Sequence, residues 1–248
     1  MAVSQTGSTA FGAAPAPADS TAVAAVATQA RLAGASLLVA IASIIVFQAG
    51  GSVIGQGTRP VDATGLAPIA AYFGHPGLAG IFTLGLVTVI ALASFALAIR
   101  RYLTAFHPSS SATHLIDLGA VGLVLLAGTY AVVIGLGLAL IKLAQQADPA
   151  AVGVFAAFTW LYDGTLNWIE GVAIGLVSLG ALLTLAWPRW LAGFGILVAA
   201  LLLVLAAPAL LLGYPDSLPF GAYVPEALWM VTAGIYLVRG GREPGTAS

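Results

Sequence analysis

The sequence predicts an all-α polytopic membrane protein, a bundle of six transmembrane helices with both termini on the cytoplasmic side. Three observations carry that expectation. Hydrophobic residues make up 60% of the chain and charged ones only 7%, with a mean hydropathy of +1.04, against roughly a quarter charged in ordinary soluble domains. Six apolar runs approach or exceed the ~20 residues that cross about 30 Å of hydrocarbon at 1.5 Å per residue. The basic residues then fall almost entirely on one side of the membrane once those runs are threaded. No alternation of apolar and polar residues suggests a transmembrane barrel.

The first thirty residues, rich in Ala, Ser and Thr with Pro15 and Pro17, contain no basic residue. They read as a disordered cytoplasmic tail that turns helical towards its end. The transmembrane domain follows over residues 31–240, and residues 241–248 form a short C-terminal tail. The expected spans are Leu32–Ile54, Gly77–Ile99, Leu115–Ile141, Leu166–Trp187, Leu191–Leu212 and Ala222–Val238, the last being the shortest. A seventh apolar segment, Pro149–Tyr162, is only two-thirds of a span. Asp148-Pro149 supplies a cap and a first-turn proline for a helix there. That helix is expected to lie in the interface or to extend the fourth span, with re-entry disfavoured.

Six spans collect Arg31, Arg100, Arg101, Arg189, Arg239 and Arg242 on one side and leave Arg59 and Lys142 on the other. Cytoplasmic loops retain Lys and Arg, so the first group is cytoplasmic. Tyr and Trp residues gather near the expected interfaces, Tyr102, Trp168, Trp187, Trp190, Tyr214 and Tyr236 among them. Gly171 and Gly175, continued by Ser178, form a small-residue stripe of the kind that lets helices approach closely. Packing within the chain is the favoured reading of this stripe, with homo-oligomer contact as its alternative.

Charged groups inside hydrocarbon cost about 2.5–3.5 kcal/mol on insertion scales, which makes each one a functional candidate. Lys142 ends the third span, and Asp163, Asn167 and Glu170 begin the fourth at i, i+4 and i+7. In a continuous helix those three share a face, which borders the glycine stripe and so turns Glu170 away from lipid. Lys142 is the expected charge partner. Gln48 and Ser52 in the first span, Tyr130 in the third and Glu226 in the sixth belong to the same half of the membrane. Glu226 reads first as an acid complementing a helix N-terminus after Pro225, and Asp117, with Thr113 as cap, reads the same way. The loop Gly55–Pro76, with Gln56, Arg59, Asp62 and His75, is expected to be an ordinary connection or a lid over the pocket.

Other chemistry is excluded by missing parts. The chain has no cysteine, so disulfides, thiolate metal sites and Cys nucleophiles are ruled out. His75 lies in an outer loop and His107 and His114 at the inner side, so no His pair sits mid-membrane, and no HExxH, GxSxG or phosphate-binding glycine loop is present; no metal, cofactor or catalytic residue is implied. A formal charge of −1 gives no electrostatic case for nucleic acid. The expected partner is the lipid bilayer.

The second half carries a resemblance. Asn167-Trp168-Ile169-Glu170-Gly171, then Pro188-Arg189-Trp190-Leu191-Ala192-Gly193, then Ala233-Gly234-Ile235-Tyr236-Leu237-Val238-Arg239 resemble a family of bacterial six-span membrane proteins known as a domain of unknown function. The resemblance covers spans four to six and implies no catalytic residues. Two functions remain open: a membrane-embedded binding or regulatory module, or a small transporter or channel-like protein that uses the carboxylates around Glu170.

Overall fold

A computed structural model describes residues 20–55, 59–60, 64–212 and 223–242. The expected tail before Ser20, the loop residues Gln56 and Asp62, Tyr214, and the chain after Arg242 lie outside the described residues. Those that are described form helices and turns, with no strand among them.

The described residues form eight α-helices in order: α1 Ser20–Ile54, α2 Leu66–Phe73, α3 Leu78–Thr104, α4 Ser110–Gln145, α5 Ala150–Thr159, α6 Leu166–Leu183, α7 Arg189–Leu212 and α8 Tyr223–Val238. A π-helical turn, Trp160–Thr165, joins α5 to α6 without a break. Among the described residues, five lengths of helix are long and apolar enough to cross a membrane: Thr21–Ile54, Leu78–Thr104, Ser110–Gln145, Ala150–Leu183 and Arg189–Ala207. The chain is a multi-pass membrane protein. At 16 residues, α8 spans only about 24 Å of helix axis, less than the hydrocarbon core.

The segment Pro149–Tyr162 extends the fourth span. Asp148 Oδ1 accepts a hydrogen bond from the Ala150 N–H at 2.9 Å, which starts the helix as the Asp-Pro pair suggested. From there the chain stays helical to Leu183, 34 residues in all from Ala150. The expected cap of the third span is corrected. α4 begins at Ser110, and it is Ser109 whose hydroxyl accepts from Ala112 N, while the Thr113 hydroxyl donates back to the Ser109 carbonyl.

Burial is inverted relative to a water-soluble bundle. Leu84, Val87, Ile90 and Leu97 of α3 and Leu118, Val121, Leu125 and Val132 of α4 point outward, whereas Thr88, Thr159, Asp163, Asn167, Glu170, Ser178 and Glu226 are buried. In lipid an outward Leu loses nothing, and a polar side chain must find its partners inside. The helices pack in the order α7, α6, α4, α3, α1, α8, and a lighter contact between α7 and α8 closes the ring.

Small residues set the close crossings. Gly34 of α1 meets α8 so tightly that an added Cβ would lie 2.5 Å from both the Gly234 carbonyl oxygen and the Val238 backbone nitrogen. The Gly171 and Gly175 stripe faces α7 within the same chain: a Cβ on Gly171 would meet Leu203, Ala199 and Leu202, and one on Gly175 would meet Ala199.

The arginine-rich end is tied by side chains from four elements. Arg100 pairs with Asp117 at 2.7 Å. Tyr102 and Tyr236 both donate to the Ala186 carbonyl at 3.1 Å, Arg242 Nη1 donates to the Leu185 carbonyl at 3.1 Å, and the Arg242 N–H donates to Tyr102 at 2.9 Å. The turn between α6 and α7 can be this tight because Leu185 takes a left-handed conformation, φ 56°. The start of α1, the start of α4, the α6–α7 turn and the end of α8 therefore share one end of the bundle.

Candidate functional site

Towards the other end, α1 and α8 diverge from their glycine crossing, and a cavity of about 660 Å³ opens between α1, α4, α6 and α8. Its walls are mostly apolar, Ile41, Ile44, Leu166, Ala227 and Val231 among them. On the rim, Ile45, Val224 and Leu228 are exposed at 54%, 48% and 57%, so the cavity communicates sideways with the lipid-facing surface. Small-molecule sites commonly fall between about 300 and 1,000 Å³, mostly apolar with a few placed polar groups.

Those polar groups include four of the six candidates taken from the sequence. Gln48, Asn167, Glu170 and Glu226 all line the cavity, joined by Ser52, Tyr130, Tyr162 and Tyr223. Glu170 and Glu226 are exposed at only 3% and 5%, and their carboxyl groups, one from α6 and one from α8, neighbour one another at the cavity wall. Glu226 Oε2 is buried with no hydrogen-bond partner. Glu226 lies in the first turn of α8, as an acid complementing a helix start does, and is buried there.

Asp163 and Lys142 stand elsewhere. Asp163 lies in the π turn, whose wider i→i+5 winding rotates it off the line of Asn167 and Glu170. The turn remains linked to α6, because Asn167 Nδ2 donates to the Asp163 carbonyl at 2.8 Å. The Asp163 carboxylate meets Arg59, whose Nη2 donates to both of its oxygens at 2.6 and 2.8 Å. Lys142 is therefore not the cation of this site. It is exposed at the end of α4 and lies outside the cavity lining.

Arg59 is the residue that spacing along the helix missed. Its signal was arithmetic: among the basic residues of the expected outer side it was the one other than Lys142. Its guanidinium carbon lies 5.4 Å from the Phe158 ring centre and 5.0 Å from that of Tyr162, two rings stacked on each other at 5.6 Å. Burial works against its charge, but the adjacent Asp163 carboxylate and the hydrogen bonds to it prevail and hold the guanidinium above its ordinary pKa. Burial also raises the neighbouring Tyr72, with Arg59 pulling the other way.

A second, smaller cavity of about 130 Å³ lies beside Arg59, lined by Phe47, Tyr72, Phe73, Phe82 and Phe158 and sharing Gln48, Ser52 and Tyr162 with the large one. Gln48 Nε2 donates to the Tyr162 hydroxyl, which fixes the partition between the two. On the opposite side of the carboxyl pair the packing closes. Below Glu170 only about 10 Å³ remains, walled by Leu37, Leu92, Phe95, Ile174, Trp229 and Met230.

No group of three or more His, Asp or Glu side chains is placed to hold a metal ion among the described residues. Comparison with protein-family models, with curated proteins and with solved structures found no match.

Proposed function

We propose that this chain is a six-span protein of the cell membrane with both termini cytoplasmic, and that it works as a membrane-embedded binding module without chemistry of its own. The observation that carries the binding reading is the cavity of about 660 Å³, apolar on most walls, open sideways between α1 and α8, with its polar groups gathered on one side. Such a site takes an amphiphile from the bilayer, its chain along Ile44, Ile45 and Leu228 and its head towards Asn167, Glu170 and Glu226. Counting α8 as the sixth span is supported by its end lying beside the start of α1, the start of α4 and the α6–α7 turn. The five arginines from Arg100 to Arg242 are at that same end.

The alternative, a small transporter or channel-like protein, draws support from Gln48, Asn167 and Glu170 lining one cavity. The apolar closure below Glu170 favours the module. The test is saturable binding of radiolabelled dodecanol to the full chain in phosphatidylcholine nanodiscs, compared with Ala227→Trp, which fills the cavity from α8. Saturable binding lost in that variant is expected. Equal uptake by both proteins, or none by either, defeats the reading.

A further inference from the structure

We infer that the ligand of this cavity is a lipophilic cation, an ammonium-bearing amphiphile whose positive head rests between Glu170 and Glu226. The inference rests on the binding reading above and adds the chemistry of the ligand to it.

Two features of the cavity converge on that class. The first is charge: among the described residues lining it, the only ionisable ones besides tyrosines are Glu170 and Glu226, and none is basic. Arg59 does not offset them, because it is engaged with Asp163 and opens onto the smaller cavity. Glu226 is 5% exposed and its Oε2 lacks a donor. A buried acceptor without a donor is expensive, and the expense is relieved by a partner that brings N–H groups or positive charge.

The second feature is aromatic. Tyr130 from α4, Tyr162 from the π turn and Tyr223 from α8 line the same cavity as the two carboxyl groups. Ring faces attract ammonium groups, most strongly where water is excluded, and several aromatic rings together are the usual surroundings of quaternary ammonium ligands. A fatty acid is disfavoured by the same residues, since its carboxylate would enter a cavity that already holds two acids. A neutral alcohol fills the apolar part and leaves the acids without a counter-charge.

The experiment uses the full chain in phosphatidylcholine nanodiscs with three radiolabelled probes of one chain length: dodecyltrimethylammonium, dodecanol and dodecanoate. Saturable binding of the cation at least tenfold tighter than that of the alcohol is expected, with dodecanoate weaker than both. In Glu170→Gln/Glu226→Gln the ratio of cation to alcohol affinity is expected to fall towards one. Alcohol binding as tightly as the cation in the native chain overturns the inference while leaving the cavity itself standing. A ratio unchanged in the double variant does the same. Absence of saturable binding by all three probes overturns both the inference and the reading beneath it. The native-chain ratio decides the matter even where the double variant does not fold, and Glu226→Gln alone supplies a milder second variant.

Discussion

Replacing Gly34 with Ala tests the crossing from which the cavity opens. A Cβ at Gly34 would lie 2.5 Å from two backbone atoms of α8, the Gly234 oxygen and the Val238 nitrogen, where ordinary contact begins at 3.4 Å. Neither atom can rotate aside, so α1 and α8 must move apart by about 0.9 Å. Overpacking of this kind costs typically about 1–3 kcal/mol. The better helix propensity of Ala returns up to about 1 kcal/mol in water, so a net loss of roughly 1–2 kcal/mol is expected. The control is Gly128→Ala in α4, where nothing lies within 4 Å of the added atom and only propensity acts. Equilibrium unfolding in mixed micelles should show Gly34→Ala destabilised and Gly128→Ala unchanged or slightly stabilised. Equal stability of the two variants would refute the reasoning, because it would mean that α1 and α8 do not approach as closely as Gly34 and Gly234 require.

Three further outcomes follow from particular contacts. Arg59→Ala and Asp163→Asn should each destabilise the chain by a figure between the ~1 kcal/mol of an exposed pair and the ~3–5 kcal/mol of a fully buried one, given side-chain exposures of 20% and 10%. The double variant should lose less than the two losses added, and strict additivity in the unfolding cycle would deny the pairing. The Ser43 and Thr88 hydroxyls, 2.6 Å apart between α1 and α3, should show a coupling of about 0.6 kcal/mol, and at most about 1.7, in a Ser43→Ala/Thr88→Val cycle. Because the chain has no cysteine, single cysteines report topology directly. Ser111→Cys and Arg239→Cys should react with a membrane-impermeant thiol reagent only from the cytoplasmic side, and Gln146→Cys only from outside; labelling of Ser111 and Arg239 from opposite sides would remove the six-span reading.

The parts of the site that could be read along the chain were those belonging to one helix. Asn167 and Glu170 share a face because three residues fall only about 60° short of a full helical turn, and both line the cavity. Asp163 was placed on that face by the same rule, and the π turn moved it, since one extra residue per turn is invisible to a count made at 3.6. The Asp148-Pro149 start was legible because a cap is local chemistry. Arg59 meeting Asp163 spans 104 positions and Gln48 meeting Tyr162 spans 114, and no local rule reaches that far. Lys142 was the nearer cation along the chain, yet the end of α4 points it to the surface.

The sequence by itself determined that this chain lives in a membrane as a helical bundle, because hydrocarbon obliges each crossing segment to satisfy its own backbone hydrogen bonds. Each span is therefore written in one continuous apolar run, readable without reference to the others. Only the tertiary structure decided which faces meet. The outward faces are mostly apolar on every long helix, so they do not tell one neighbour from another, and the close fit at glycines such as Gly34 helps to choose it. From that choice came the cavity between α1, α4, α6 and α8, and the placing of Glu170 and Glu226 in its wall.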